Sequence, residues 1–262
     1  MIFTLLTLLL APLAYGDATD RIVVITDSHG VGHFGEELAL WLRRRPTTKF
    51  DFIASGGSAP LQWRNNAFNT TCGFHDASTI AKPLPRVCNK LHTPPLTALW
   101  RQQGPPAADE RRVSIVVLGT NFGMAAAMYA EQLAATQSLA EDAMNSSDRC
   151  LWVGPPNMNH SPGFDTAGVA YKVALIQKAL AQAAHKTGKP PCQLIDSRLY
   201  SQYPKKGGDG IHLHWPGWKT PETIKASGDW ADAIAAQADC LLALPSSFKE
   251  STIPAASCGS TP

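Results

Sequence analysis

Short apolar runs that alternate with longer helical patterns place the strongest constraint on how this chain can fold. The runs lack polar alternation, as expected of strands that are buried on both faces. The segments between them carry apolar residues at the helical period. This alternation predicts a central parallel sheet covered by helices on both faces. The predicted strands are Arg21–Thr26, Phe50–Ala54, Val113–Leu118, Leu151–Val153 and Gln193–Ile195, and the predicted helices are Phe34–Arg45, Met124–Met144, Gly168–Lys186 and Asp229–Leu244.

Three short polar segments supply the side chains that acyl transfer requires. T-D-S-H-G spans Thr26–Gly30, G-T-N spans Gly119–Asn121, and D-G-I-H spans Asp209–His212. A serine hydroxyl can attack, an imidazole can take its proton, a carboxylate can orient the imidazole, and an amide can bind an oxyanion. The candidates for these four roles are Ser28, His212, Asp209 and Asn121.

The first two segments follow predicted strands, so the sheet itself is expected to bring them together. Ligands of open α/β sheets bind beyond the carboxyl ends of the strands. Ser28 would lie at a strand-to-helix turn, near a helix N-terminus that favours a developing anion. Gly56 and Gly57 follow another predicted strand and offer an unhindered backbone N–H to the same oxyanion. The pattern predicts a serine ester hydrolase.

Each candidate also has an ordinary structural interpretation. Asp27 or Ser28 can cap the helix that follows, and Asn121 can do the same for a later helix. Gly56–Gly57 is compatible with a simple tight turn, and an isolated Asp-x-x-His pair with a surface turn. Asp196 ends the last predicted strand and is a rival triad carboxylate, although we expect it to cap a loop.

The four segments, taken in order, resemble the sequence blocks of the SGNH hydrolases, a group of the GDSL esterases and lipases. T-D-S-H-G is similar to block I, S-G-G-S at Ser55–Ser58 to block II, G-T-N to block III and D-G-I-H to block V. The resemblance extends from about Arg21 to the last predicted helix. It implies a flavodoxin-like three-layer α/β/α sandwich whose parallel sheet has about five strands in the order 2-1-3-4-5.

The resemblance also implies a role for each site residue. Ser28 matches the family nucleophile, His212 the general base and Asp209 its partner. Gly56 matches the block II glycine best because x-Ser follows it, and Gly57 stays open as the alternative. The implied oxyanion donors are the backbone N–H groups of Ser28 and Gly56 and the side-chain amide of Asn121.

Two positions depart from the family pattern, and a third residue needs separate comment. Thr26 stands where the family has the glycine of G-D-S, and Phe122 where an aspartate often follows the block III asparagine. Neither position carries the chemistry. His29 follows the nucleophile directly, and we expect a structural rather than a catalytic role for it.

The N-terminal segment predicts export. An apolar run from Ile2 to Ala14 precedes Ala14-Tyr15-Gly16, which has small residues at the two positions that signal peptidase reads. We therefore expect a signal peptide at residues 1–16 and a secreted or periplasmic protein that begins near Asp17. The run is too short to cross a bilayer of about 30 Å as a helix, so we expect no stable membrane insertion after cleavage.

The six cysteines predict disulfides, because their number is even and the chain is expected to be exported. Residues 17–262 suit a single domain. Within it, the proline-rich segment 58–112, with one short helix at Leu96–Gln103, is interpreted as a disulfide-stapled insertion over the mouth of the site. Neighbours in sequence favour the pairs Cys72–Cys88, Cys150–Cys192 and Cys240–Cys258.

Charge and ligand spacing argue against several other partners. The net charge is only +2, and the basic triplet Arg43–Arg45 ends a predicted helix, where cations meet the negative end of the dipole. We therefore expect no nucleic-acid partner. His212 and His214 form an H-x-H pair, but no third ligand stands at a suitable spacing, so we expect no metal and no cofactor.

Export and aromatic residues near the site favour a carbohydrate O-acetylesterase that acts on a cell-wall or other polysaccharide, or on a small ester, as a monomer. Trp63, Trp215 and Trp218 suit sugar rings, although such residues also serve only in packing. The alternatives are a lipase or thioesterase with a longer acyl pocket, and a non-catalytic carbohydrate-binding protein of the cell envelope.

Overall fold

A six-stranded sheet forms the centre of the computed structural model, which describes residues 19–45, 48–66, 69–70, 73–78, 91–160, 163–213, 220–243 and 258. The predicted signal peptide lies outside the described residues. The strands are β1 (Thr19–Thr26), β2 (Thr48–Ser55), β3 (Asn69–Thr70), β4 (Phe74–Asp76), β5 (Leu91–His92), β6 (Glu110–Val117), β7 (Arg149–Val153) and β8 (Gln193–Ile195). The helices are α1 (His33–Arg44), α2 (Pro60–Asn65), α3 (Leu96–Gln102), α4 (Tyr129–Ser146), α5 (Thr166–Thr187) and α6 (Pro221–Ala243).

The sheet confirms the predicted order of the parallel strands and adds one strand at its edge. Its order is β4-β2-β1-β6-β7-β8, and every neighbouring pair from β2 to β8 is parallel. These five strands correspond to the expected order 2-1-3-4-5. The sixth, β4, pairs antiparallel with β2 and comes from the segment interpreted as an insertion. Strands β3 and β5 form a separate two-stranded ladder.

Alternating residues of the central strands divide the core into two apolar layers. Ile22 and Val24 of β1 face the layer that contains residues of α1 and α6. Val23 and Ile25 face the opposite layer, which contains residues of α3, α4 and α5. Because successive strand side chains point to opposite faces, the apolar run Ile22–Ile25 of β1 serves both layers. The three-layer α/β/α architecture is thereby confirmed.

Helix boundaries differ from the sequence expectation at two places. Helix α4 begins at Tyr129 rather than Met124, because Ala125 is extended and a single 3₁₀ turn at Ala126–Met128 comes first. Helix α6 begins at Pro221, eight residues before the predicted Asp229. A proline in the first helical turn loses no helical hydrogen bond, so it can start a helix that apolar periodicity reveals only later.

Two of the three predicted disulfides are present. Cys150 and Cys192 join the beginnings of β7 and β8, with 4.5 Å between their Cα atoms. Cys240 in α6 is bonded to Cys258. The third predicted pair, Cys72–Cys88, lies outside the described residues, so a disulfide across the insertion stays a prediction. Among the helices of the described segments, none combines the length and apolar character needed to cross a membrane.

Candidate active site

The nucleophile candidate lies in the turn that follows β1. Asp27 caps a 3₁₀ turn at Ser28–Val31, and its Oδ1 accepts a hydrogen bond of 3.0 Å from the N–H of His29. The cap is therefore Asp27, and the hydroxyl of Ser28 is left for another partner. Ser28 itself is buried.

That partner is the imidazole of His212, which stands 184 positions later in the chain. The Nε2 atom of His212 lies 2.8 Å from the Oγ atom of Ser28. On the other side of the ring, Nδ1 lies 2.6 Å from Oδ2 of Asp209. An ionised carboxylate only accepts hydrogen bonds, so Nδ1 carries the proton and Nε2 is free to accept the hydrogen of the Ser28 hydroxyl. The three residues form a serine–histidine–aspartate relay.

The D-G-I-H turn holds the carboxylate in place from several sides. Oδ1 of Asp209 accepts the backbone N–H groups of Ile211, at 2.9 Å, and of His212, at 2.7 Å. Partial burial alone would raise the pKa of Asp209, but the hydrogen bonds from His212 and Ile211 and the positive charge on His212 hold it well below its usual range. Asp209 is therefore ionised at neutral pH.

Tyr203 supports the same turn, although no sequence signal pointed to it. The phenol oxygen of Tyr203 accepts the N–H of Gly210, and its hydrogen is directed to the carbonyl of His212 at 3.3 Å. Gly208 has a φ of +81°, and a Cβ there would lie 2.2 Å from the phenol oxygen, so the turn requires glycine at this position.

Asp196, the rival triad carboxylate, is engaged elsewhere. It caps the short turn after β8 and binds the guanidinium group of Arg198 through both oxygens, at 2.8 Å to Oδ1 and 2.5 Å to Oδ2. This is the loop-capping role that we expected for it. The carboxylate that contacts His212 in the structure belongs to Asp209.

The amide of Asn121 is oriented by the turn that follows β2. Its Nδ2 donates a hydrogen bond of 2.9 Å to the carbonyl of Ser58, which leaves the second amide hydrogen for another acceptor. Asn121 caps no helix, because the next helical turn is capped at Ala125 without a side-chain hydrogen bond. The Ser58 hydroxyl accepts the indole N–H of Trp63, which is fully buried. Of the two interpretations of Trp63, its burial supports the packing role, and Trp215 and Trp218 lie outside the described residues.

The two glycines after β2 differ in their hydrogen bonding. The N–H of Gly56, which the sequence favoured as an oxyanion donor, donates to the carbonyl of Gly73 at 2.8 Å and is occupied. The N–H of Gly57 has no hydrogen-bond partner among the described residues, and Gly57 has a φ of +75°, which favours glycine. In this structure Gly73, which precedes β4, takes up the N–H of Gly56, whereas the N–H of Gly57 stays available among the described residues.

His29 lies close to His212 but is enclosed in the core. Its ring centre is 5.2 Å from that of His212, and it meets Trp230 edge to face at 5.3 Å. Burial lowers the pKa of His29 well below its usual value, and the positive charge on His212 acts in the same direction. A neutral His29 can pack beside His212 without opposing protonation of that ring. This environment fits the structural role that we expected.

Asp27 is wholly buried beneath the nucleophile, and this makes the stability of the fold depend on pH. Burial raises its pKa from 3.8 to about 6, although hydrogen bonds from His29 and Thr120 and the charge on His212 lower it. The folded state then holds this proton more tightly than the unfolded chain. The contribution favours folding below the unfolded pKa of 3.8 and is lost as the pH rises through about 6.

We expect Asp27→Asn to remove this dependence. The difference in free energy of unfolding between variant and wild type should grow in favour of the variant, by about 2 kcal/mol, from pH 4 to pH 7, because asparagine cannot ionise. Urea unfolding at a series of pH values measures it. A difference that stays constant over this range would contradict a raised pKa at Asp27.

Neither a protein-family model nor a curated protein sequence matches the chain. Among solved structures, a family two carbohydrate esterase from Clostridium thermocellum superposes with a TM-score of 0.50 at 13% identity, over 87% of this chain and 66% of that chain. This chain shares that fold. At this level of identity the likeness concerns the fold alone, and it agrees with the α/β/α sandwich described above.

Two further solved structures have lower scores. An aryl esterase from M. smegmatis gives a TM-score of 0.49 at 14% identity, over 84% of this chain and 98% of that chain. The carbohydrate acetylesterase Est24 from Sinorhizobium meliloti gives 0.47 at 11% identity, over 85% and 99%.

Proposed function

We propose that the protein is a secreted serine esterase that hydrolyses short-chain esters, in particular acetyl esters on a carbohydrate or cell-wall polymer. The observation that carries this proposal is the unbroken relay from Ser28 through His212 to Asp209, with separations of 2.8 Å and 2.6 Å. Distances of this size allow direct proton transfer between a nucleophile and its base. Ser28 lies near one end of the chain, and Asp209 and His212 lie near the other. A surface turn alone would explain the contact between Asp209 and His212, but not the contact of His212 with Ser28.

The first half of the reaction forms an acyl-enzyme. The Ser28 hydroxyl attacks the ester carbonyl while its proton passes to Nε2 of His212, and Asp209 stabilises the imidazolium. The carbonyl oxygen becomes an oxyanion that accepts the N–H groups of Ser28 and Gly57 and the free amide hydrogen of Asn121. His212 then gives the proton to the departing alcohol, and acyl-Ser28 remains.

The second half returns the enzyme to its starting state. Water attacks the acyl carbonyl, His212 takes its proton, and the same donors bind the second oxyanion. Collapse of this intermediate releases the carboxylic acid, and the proton on His212 returns to Ser28. No step in this sequence requires an additional cofactor.

A small pocket beside one proposed oxyanion donor, Asn121, is compatible with a short acyl group. A pocket next to Asn121, lined by residues that include Pro60, Phe122 and Met128, offers about 110 Å³. Pockets for drug-sized ligands are several times larger, about 300 to 1,000 Å³. The family two carbohydrate esterase with the same fold was solved in complex with cellohexaose, which motivates a carbohydrate as the alcohol component.

A chain-length series distinguishes this proposal from a lipase or thioesterase. Nitrophenyl esters from acetate to decanoate should show kcat/KM falling sharply beyond the shortest acyl groups. Rising kcat/KM with chain length would instead favour the lipase alternative. Acetate release from acetylated xylan and peptidoglycan tests the alcohol component in the same preparation.

Covalent labelling separates an enzyme from a carbohydrate-binding protein that merely retains the fold. A fluorophosphonate should label wild type at Ser28, because only an activated serine reacts quickly with it. Absence of labelling in folded wild-type protein would favour the binding protein.

Export agrees with the two disulfides, Cys150–Cys192 and Cys240–Cys258, which persist in oxidising compartments.

Loss of the Asn121 amide should lower turnover without abolishing it. We expect Asn121→Ala to reduce kcat for nitrophenyl acetate by about 100-fold to 1,000-fold, because one of three oxyanion donors is lost. KM should change little, since the contact forms in the transition state. Asn145→Ala, at an exposed position near the end of α4, is the matched control and should retain wild-type kcat. Equal kcat values for Asn121→Ala and Asn145→Ala would show that Asn121 is not an oxyanion donor.

A further inference from the structure

Lys172 places an ammonium group inside the protein, directly behind the candidate active site. It lies within α5 and is fully buried. Its Nζ atom donates a hydrogen bond of 2.6 Å to the carbonyl of Thr120 and lies 4.0 Å from the centre of the Phe164 ring. A buried ammonium is costly unless it is paired, so an apolar side chain would suit packing better. The mechanism described above does not use this group.

Thr120 connects the Lys172 ammonium to the turn that holds Asn121 and to the turn that holds Ser28. Its carbonyl accepts from Lys172, and Thr120 lies beside the carboxylate of Asp27, where its hydroxyl and backbone lower the pKa of that group. Thr120 immediately precedes Asn121, and Asp27 immediately precedes Ser28. A continuous chain of polar contacts therefore runs from α5 through the turn of the amide donor to the turn of the nucleophile.

Charge adds to this connection. Burial lowers the pKa of Lys172 to about 8, while the negative charges of Asp27 and Asp165 raise it. The ammonium is thus mostly protonated at neutral pH, and Asp27 supplies part of the opposite charge that it needs. The contact with Phe164 adds a cation–π interaction.

We propose that Lys172 is a positioning residue that acts through Thr120 and Asp27 to hold the Asn121 amide at a fixed distance from the N–H and hydroxyl of Ser28. This inference rests on the proposed ester hydrolysis. Oxyanion donors work only when they are held within about 0.5 Å of the productive geometry by supporting contacts. Ser28 and Asn121 follow the neighbouring strands β1 and β6, and Lys172 adds a contact to the turns beyond the ends of these strands.

The balance between kcat and KM separates this role from a merely structural one. Misplaced oxyanion donors lose contacts that form only in the transition state, so kcat falls while KM is nearly unchanged. If Lys172 only fills space, its substitution should lower stability without this selective effect on kcat.

The test compares Lys172→Met with Leu180→Ala, a truncation of a buried leucine on the same helix. Both should lower the melting temperature, and the assays are run well below it. Lys172→Met should lower kcat for nitrophenyl acetate by about 10-fold to 100-fold with KM within about twofold of wild type. Leu180→Ala should keep wild-type kcat. Wild-type kcat in Lys172→Met, or the same loss of kcat in both variants, would overturn the proposal.

If Lys172→Met does not fold, Lys172→Gln provides the second variant, because its amide can still donate to the Thr120 carbonyl while the charge is lost. We expect a smaller loss of kcat than with methionine and again little change in KM. A kcat for Lys172→Gln equal to that of wild type would show that the charge contributes nothing, and it would overturn the part of the proposal that involves Asp27.

A readout that does not depend on hydrolysis keeps this inference separate from the proposed function. Melting temperatures are measured for Lys172→Met, Asp27→Asn and the double variant. The loss caused by Lys172→Met should be smaller when Asp27 is already asparagine, because no buried carboxylate is then left without its counter-charge. If the changes in melting temperature of the two single variants add up to that of the double variant, Lys172 and Asp27 do not interact. Absence of Ser28-dependent hydrolysis in wild type would overturn the proposed function alone.

Discussion

Ser28→Ala should reduce kcat for nitrophenyl acetate by at least about 10,000-fold, the largest loss expected of any single substitution in this protein. The variant keeps the oxyanion donors and the imidazole, but no atom remains to form the acyl bond. Fluorophosphonate labelling should disappear together with hydrolysis. Stability should change little, because alanine removes only the oxygen that contacts His212.

Ser197→Ala is the matched control for this experiment. Ser197 is also a buried serine, and its hydroxyl oxygen has no hydrogen-bond partner among the described residues. It lies in the turn after β8, and we expect wild-type kcat from the variant. Hydrolysis that survives Ser28→Ala, with labelling at another residue, would contradict the acyl-Ser28 mechanism.

The central sheet could be predicted from the sequence because its strands are buried on both faces. The buried centre of a strand such as β1 must be apolar, and the run Ile22–Ile25 contrasts clearly with the helical segments beside it. The antiparallel strand β4 was missed for the opposite reason. It has three residues, Phe74–Asp76, at the edge of the sheet, and so short a segment carries no periodicity that sequence reasoning could detect.

Sequence reasoning named the side chains that the structure brings together, but not the backbone and packing contacts around them. Ser28, Asp209 and His212 were identified because few residue types can serve as nucleophile, carboxylate and base. The choice between Gly56 and Gly57 could not be made from the sequence. It depends on a hydrogen bond from the N–H of Gly56 to the carbonyl of Gly73, a residue outside every motif.

The supporting residues were missed for a related reason. Tyr203 and Lys172 act through contacts with backbone groups, at Gly210 and Thr120 respectively. Almost every residue has a backbone carbonyl and N–H, so the sequence does not indicate which of these groups a side chain will bind. Such contacts become visible only when the tertiary structure brings the segments together.

Asp209→Asn should lower kcat by about 10,000-fold while leaving the positions of the atoms nearly unchanged. The asparagine oxygen can still accept the N–H groups of Ile211 and His212 in place of Oδ1. Its NH₂ group then faces Nδ1 of His212, which must become the acceptor. The ring proton moves to Nε2, and His212 loses the lone pair that takes the proton of Ser28.

The expected loss depends on the tautomer of His212, so the test measures both kcat and the position of the ring proton. Nitrogen NMR of His212 near neutral pH should report a proton on Nδ1 in wild type and on Nε2 in Asp209→Asn. Asp196→Asn is the control, since that carboxylate binds Arg198, and it should retain wild-type kcat and the wild-type tautomer. If Asp209→Asn keeps the Nδ1 proton and still loses kcat, the carboxylate acts mainly through its charge on the imidazolium. If it keeps wild-type kcat, Asp209 is not the partner of the general base.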